Sequence, residues 1–420
     1  MKIKLCLLLG ACVILSSCES NESIKEPVII DIGAVERIDS TLNSFIQSGT
    51  ATGVSALIFE NQEEVYFNAY GFADRENEKP MERNTIVQIY SMTKPITGVA
   101  LMTLYEKGAF DLDDPVSKYV TAFENLVVYE GDDSEGNPVL AEPKRELTIR
   151  DLTRHTSGFA NDTSRPYTGE LLAAASPMHP ENTLEQFAEK LAGLPLVFHP
   201  GNEWYYGPSV DVQAYLVEII SGQPFAEYVR EHILDPLDMS ETRYFVPDED
   251  RNRLAASYRS EEDSLIRVPD EEALAFNTNE WPLTPGGWGY TSILDDYMTF
   301  AQMLVNEGEL NGTRILKPET VRLMATNQLP DEVTERLWLP SKGQVGFGID
   351  FAVRLREPQS AEENNGITGE FFWDGAASTL FWVDPQNKLT AVFFVQKFPF
   401  DGRLHKDFRD AVYGPFIPAD

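Results

Sequence analysis

The sequence predicts an α+β fold in which one antiparallel sheet, assembled from both ends of the chain and flanked by helices, receives an inserted, mainly helical lobe. Three observations carry this expectation. The β-branched and aromatic runs "TGVSALIFEN" and "EEVYFNAYGFAD" fall within the first 74 residues. Four further runs, "GFGIDFAVRL", "EFFWDGA", "STLFWVD" and "LTAVFFVQ", fall beyond residue 344. Between the two groups apolar residues recur at helical spacing. A sheet that joins the ends satisfies all three, and the cleft beside the inserted lobe is the expected ligand site.

The N-terminal 18 residues, "MKIKLCLLLGACVILSSC", read as a leader: Lys2 and Lys4 are basic, Leu5 to Leu15 is apolar, and Ser16 and Ser17 are small. The apolar run is too short to span a membrane comfortably. "LSSC" resembles the lipobox of bacterial lipoproteins, which implies export, cleavage before Cys18 and a lipid anchor on that cysteine; a plain secretory signal is the alternative. The division expected is a signal over 1–18, a polar tether over 19–30 and a single domain over 31–420.

Within that domain, "VERIDSTLNSFIQSG" predicts a helix, since Val35, Ile38, Leu42, Phe45 and Ile46 share a face before Gly49. The dipeptide Asn61-Gln62 predicts a hairpin between the first two strands. The next helix begins near Ser91 and runs to Gly108. Residues 129–143 are expected to form an acidic, mobile loop. "LTIRDLTRHTSGF" offers Thr148 and Asp151 as a capping box, with Gly158 just past the helix end. In "SVDVQAYLVEIISG" residues Val212, Tyr215, Leu216, Ile219 and Ile220 line one face and Gly222 stops the helix; another follows Pro224. "TSILDDYMTFAQMLVNEG" offers Ser292 and Asp295 as a further capping box. "PQNK" turns the last two strands into a hairpin, and a final helix runs from about Leu404 to Tyr413.

Composition narrows the function. Lysine and arginine number 34 against 67 acidic residues, a net charge of -33, which repels nucleic acid and anionic membrane surfaces. No nucleic-acid partner is expected, and membrane contact only through the anchor. The three cysteines all lie within the leader segment, so the domain has neither disulfides nor a cysteine metal site. Five histidines, His155, His179, His199, His232 and His405, show no metal-binding spacing, and His155 reads as a structural helix-end residue. No metal or organic cofactor is implied.

The stretch "QIYSMTKPITG" puts Ser91 three residues before Lys94. At i and i+3 on a helix the two side chains meet, Pro95 suits a first turn, and free N–H groups there stabilise an oxyanion. A lysine serves as base where burial favours its neutral form, and in so acidic a protein only burial or close contacts outweigh the general field. By itself this spacing arises about once by chance in a chain of this length, and a structural helix start accounts for it as well. A Gly-x-Ser-x-Gly nucleophile elbow does not occur in the sequence.

Five ordered segments decide the matter. "YSMTKPITGVALMTLYEKG", "LTIRDLTRHTSGF", "HPGNEWYYGPSVDVQAYLVEIISG", "TPGGWGYTSILDDYMTFAQMLVNEGELNG" and "GEFFWDGAASTLFWVDPQNKL" resemble blocks of the class C β-lactamase-like serine hydrolases, a family that includes family VIII carboxylesterases, D-aminoacyl peptidases and acyltransferases. The resemblance covers most of residues 35–415. It implies a β-lactamase-like fold with Ser91 as nucleophile, Lys94 as its activator and Tyr206 as the proton shuttle; Tyr205 is the alternative if the register slips by one. Backbone N–H groups of Ser91 and Ala376 are implied as the oxyanion hole. Trp373, Asp374 and Gly375 are implied as the substrate-binding strand.

Two departures from the family pattern set the substrate expectation. Tyr-x-Asn becomes Tyr206-Gly207-Pro208, without the amide that grips an acylamino group. Lys-Thr-Gly becomes Trp373-Asp374-Gly375, the Trp-x-Gly pattern of the esterase branch. Trp373 offers no cation for a substrate carboxylate, its flat face suits an acyl or alcohol group, and an inward Asp374 would repel an anion. The expected function is therefore cleavage of small carboxylic esters through an acyl-enzyme on Ser91. The alternatives are a β-lactamase or D-alanyl peptidase and a catalytically silent binding protein on the same fold.

Overall fold

The computed structural model describes residues 28–262 and 264–418. The leader, Cys18 and most of the expected tether lie outside the described residues. Helix α1 spans Ile32–Gln47, capped by Asp31, whose carboxylate accepts the Ala34 N–H at 2.8 Å. Its buried residues Ala34, Ile38, Leu42 and Phe45 recur every three to four positions and face the sheet. Ordered packing already begins ahead of it: Ile29 and Ile30, counted with the tether from the sequence, donate their N–H groups to the Glu60 carboxylate at 2.7 and 3.2 Å.

Strands β1 (Gly53–Glu60) and β2 (Glu63–Asp74) form the expected hairpin. Asn61 and Gln62 both take left-handed backbone angles, φ 53° and 67°, which suits a two-residue turn between right-twisted strands. The sheet is completed by β3 (Lys79–Pro80), β4 (Val345–Phe347), β5 (Ala352–Arg354), β6 (Phe371–Asp374), β7 (Leu380–Asp384) and β8 (Leu389–Val395). Its order is β4-β5-β6-β7-β8-β1-β2-β3, eight strands with antiparallel neighbours throughout. The two ends of the chain meet where Val54 lies opposite Val395. Every residue of β8 is buried because both faces of the sheet are covered. Phe393 packs on Phe45 of α1 and on Phe408 of the last helix. Thr390, on the opposite face, accepts from Gln302 of the inserted lobe. That double cover is why these strands read as unbroken apolar runs.

In the inserted lobe, helix α2 (Thr93–Glu106) is buried from Thr93 through Leu104, so it is a central helix with no polar face over that length. It packs on α4 (Ser209–Ser221), which ends at Gly222 with φ 73° as expected. Between them α3 (Ile149–Thr153) has the anticipated capping box: Thr148 and Asp151 each accept from the other's backbone N–H. Helices α5 (Leu294–Val305) and α6 (Gly402–Tyr413) cover opposite faces of the sheet. Among the described residues no helix is long and apolar enough to cross a membrane.

Four expectations need correction. Residues Val128–Asp132 and Pro138–Ala141 pair as a small hairpin, where the acidic composition had suggested a loop. Helix α3 ends at Thr153 with Arg154 capping it, and Gly158 lies farther along, where its φ of 86° and a Phe198 carbonyl oxygen 2.4 Å from the place of a Cβ demand glycine. Ser292 and Asp295 form no capping box: the helix is entered one residue later, with Ile293 at the cap position, and both side chains are held by partners from elsewhere. Ser292 shares a hydrogen bond with Thr242 Oγ1 at 2.8 Å, and Asp295 pairs with Arg83 at 2.6 Å. The run "GFGIDFAVRL" is two strands, broken where Asp350 turns with φ 59°.

Candidate active site

Ser91 sits in a single 3-10 turn, Tyr90–Met92, that leads into α2. Tyr90, immediately before it, has φ 45°, a left-handed angle unfavourable for a non-glycine residue and often found beside functional groups. Lys94 stands in the first turn of α2, 4% exposed, and its ammonium donates to Ser91 Oγ at 3.3 Å and to the Gly287 carbonyl at 2.7 Å. The Gly287 N–H in turn donates to Asp211 at 2.9 Å. A Cβ on Gly287 would lie 2.9 Å from Asp211 Oδ2 and 3.2 Å from Lys94 Nζ, so glycine lets the backbone reach both groups.

Two buried carboxyl groups surround this lysine. Burial pushes Asp211 up to about 6, against the opposing pull of the Lys94 charge. Burial pushes Asp350 well above the carboxylate range, with Gln213 donating to it at 3.0 Å and the Lys94 charge opposing. Burial thus favours the neutral form of both carboxyl groups, and the Lys94 charge opposes it at each.

Tyr206 reaches the same place from the segment ahead of α4. The Lys94 ammonium lies 4.5 Å from its ring centroid, and the Trp373 indole N–H donates to its hydroxyl at 3.2 Å. The ring is held by His155, Trp338 and Trp373, with centroids 4.7, 5.1 and 5.5 Å away. Tyr205 points elsewhere, against Phe198 at 6.0 Å, with the Arg165 guanidinium 5.2 Å from its ring. Successive side chains of this extended segment face opposite ways, and the one beside Ser91 is Tyr206. His155 leaves α3 with φ 57° and is wholly buried under the Tyr206 ring. Neither of its ring nitrogens has a hydrogen-bond partner among the described residues, and burial together with the Lys94 charge holds it neutral.

A cavity of about 360 Å³ opens onto Ser91 and Tyr206 and is lined further by Ala376 and Asp374 of the sheet end and by Trp338, Lys342 and Phe400. Gly375 fixes that sheet wall: a Cβ would lie 2.3 Å from Thr379 Oγ1 and 2.6 Å from the Ile89 carbonyl oxygen, so the end of β6 runs hard against the approach to the serine turn. Ser91 and Ala376 consequently border one space.

The substrate strand departs from expectation in two respects. Trp373 is 1% exposed and spends its N–H on Tyr206, so it braces the tyrosine and leaves the exposed aromatic wall to Trp338 and Phe400. Asp374 does face the cavity, but its charge is met by Lys342, a cation that no sequence motif announced. Lys342 lies 32 residues from Asp374, and its pairing follows only from the folded register.

An amine against a serine hydroxyl, a phenol braced above them and a cavity walled by aromatic rings can support attack on a carbonyl, since a dry site strengthens each polar contact. Among the described residues no group of three His, Cys, Asp or Glu side chains is arranged to hold a metal ion.

The fold and this site define a serine hydrolase class, and comparison with known proteins gives the family. The chain belongs to the Beta-lactamase family, whose model matches residues 38–413. It has the β-lactamase-like fold, in a family of serine hydrolases with esterase and acyltransferase members. Protein Rv1367c of Mycobacterium tuberculosis is 30% identical over 365 residues, 86% of this chain and 89% of the relative. Esterase EstB of Burkholderia gladioli is 28% identical over 401 residues, 90% of this chain and 94% of the relative. The solved structure of EstCE1, a hydrolase with promiscuous acyltransferase activity, has TM-score 0.74 and 26% identity and covers 91% of this chain and 99% of its own.

Proposed function

We propose that the protein hydrolyses small carboxylic esters through an acyl-enzyme on Ser91. The observation that carries this reading is the Lys94 ammonium 3.3 Å from Ser91 Oγ at the edge of a cavity shared with Tyr206. In the sequence of steps, the serine proton passes to the Lys94–Tyr206 pair as Oγ attacks the ester carbonyl. The developing oxyanion is received by the N–H groups of Ser91 and Ala376. Tyr206 relays the proton to the departing alkoxide, and water then enters by the reverse path. The similarity to EstB supports the ester as substrate class, and the similarity to EstCE1 supports a second outcome in which an alcohol takes the place of water.

Against a β-lactam or D-alanyl peptide stands the charge of the cavity. Lys342 is already matched by Asp374, so a substrate carboxylate finds no uncompensated cation there, whereas an uncharged ester incurs no such penalty. The expected result is measurable turnover of a chromogenic short-chain ester by residues 19–420, with little or no hydrolysis of a chromogenic cephalosporin assayed beside it. A kcat/KM for the cephalosporin above that for the ester would overturn the reading in favour of cell-wall chemistry.

The same proposal includes export and a lipid anchor on Cys18, supported by the "LSSC" stretch. Cys18→Ala is expected to abolish lipidation and reduce membrane retention in a bacterial host. An unmodified N-terminus on the mature wild-type protein, read by mass spectrometry, would remove the anchor from the account.

A further inference from the structure

We infer that Lys342 is a specificity-determining residue: its ammonium, held in the wall of the Ser91 cavity by Asp374, donates a hydrogen bond to a second, uncharged oxygen of the ester substrate. The oxygen is a ketone, ether or hydroxyl group in the acyl or alcohol portion, separate from the ester being cleaved. This inference rests on the ester reading above and names its substrate class.

Lys342 ends the short turn Leu339–Lys342 and is 6% exposed. An ammonium carries three N–H donors. Among the described residues its one side-chain hydrogen bond goes to Asp374, and its remaining close neighbours are aromatic faces. The ring centroids of Phe400, Trp338 and Trp373 lie 3.8, 5.3 and 5.8 Å from Nζ. Those faces steady the charge without accepting a conventional hydrogen bond. Lys342 and Asp374 both line the cavity that contains Ser91, so the unspent donors belong to a group that substrate can reach. The exposed Ser341 hydroxyl, next in the chain and on the same wall, adds a second donor.

The balance of charge selects a neutral oxygen over a carboxylate. Asp374 offsets Lys342; Arg409, whose charge also reaches Lys342, is paired with Glu370 at 2.6 Å; and His405 has Nδ1 3.9 Å from Asp374 Oδ2 and Nε2 2.8 Å from the Ser378 carbonyl oxygen. Burial pulls His405 down to about 4, so it adds no charge at neutral pH. An anionic substrate would set two carboxylates on one ammonium in a partly dry cavity. A ketone, ether or hydroxyl oxygen takes the donor and leaves the charge unchanged. Unsubstituted alkyl chains leave it unmet.

The test is binding to the full mature chain carrying Ser91→Ala, measured by calorimetry, so that it reads recognition whether or not the ester is cleaved. Matched esters of equal length are compared: plain alkyl, keto- or ether-substituted on the acyl side or on the alcohol side, and carboxylate-ended. The oxygen-bearing ester is expected to bind about tenfold or more tightly than its alkyl match on one side, the scale of a hydrogen bond to a charged donor. Adding Lys342→Met should bring the pair within about twofold. Because that change strands the Asp374 charge, the combined Lys342→Met and Asp374→Asn variant, checked for folding by circular dichroism, must give the same loss of preference. Equal affinities on both sides, no binding by any of the esters, a preference that survives in the double variant, or tightest binding of the carboxylate ester would each overturn the inference. Failure of the wild-type protein to turn over any ester would instead count against the hydrolase reading, while the binding preference still decides the role of Lys342.

Discussion

Ser91→Ala is expected to lower turnover of a chromogenic short-chain ester by at least about a thousandfold, the scale set by loss of a covalent nucleophile. Ser91 is half-buried in a turn whose backbone is fixed by the Met92 N–H to Ile89 carbonyl bond, and removal of one hydroxyl leaves that turn intact. The loss should therefore fall on kcat, with circular dichroism and thermal midpoint unchanged. Lys94→Ala should be nearly as severe for a different reason. It removes the group 3.3 Å from Oγ and also frees the Gly287 carbonyl and leaves Asp211 without its nearby positive charge. The two variants are told apart by mass spectrometry after prolonged exposure to ester: only the lysine variant keeps Ser91 Oγ and should slowly gain an acyl adduct, whereas Ser91→Ala should show none. Near-wild-type turnover by Ser91→Ala would remove the serine from the mechanism.

The parts of this molecule that could be read from sequence are those whose partners lie close along the chain. Ser91 and Lys94 are separated by less than one helical turn, and the Thr148/Asp151 capping box and the Asn61-Gln62 hairpin turn are equally local, so short-range rules sufficed. The sheet could be assembled from both ends because β8 and β1 carry enough apolar residues to require cover on each face. Rules of the same kind failed where a distant group competed. Arg83 takes Asp295 from 212 residues away, and a local capping signal has no knowledge of it. Lys342 was invisible for the same reason: its meaning comes from Asp374 and Phe400, which the fold brings to it. Trp373 illustrates an intermediate case. Its position on the substrate strand was legible, whereas the use of its N–H depends on how the Tyr206 segment crosses above it.

That crossing gives the neighbouring tyrosines opposite expected behaviour. Tyr206→Phe keeps the ring that packs between His155, Trp338 and Trp373, and deletes only the hydroxyl that accepts from the Trp373 indole. Loss of a proton relay of this kind should lower kcat by about a hundredfold or more, with KM little changed, because the cavity wall retains its shape. The orphaned indole N–H adds a stability cost of about 1–3 kcal/mol if no water reaches it, so a modest fall in thermal midpoint accompanies the kinetic loss. Tyr205→Phe deletes a hydroxyl on the far side of the segment, near Arg165 and Phe198, and should leave kcat within about twofold of wild type, as changes away from the reacting atoms usually do. Steady-state kinetics of the two variants on one chromogenic ester decide the assignment. A mild Tyr206→Phe beside a severe Tyr205→Phe would move the relay by one position and require the segment ahead of α4 to turn over, bringing Tyr205 to face Lys94.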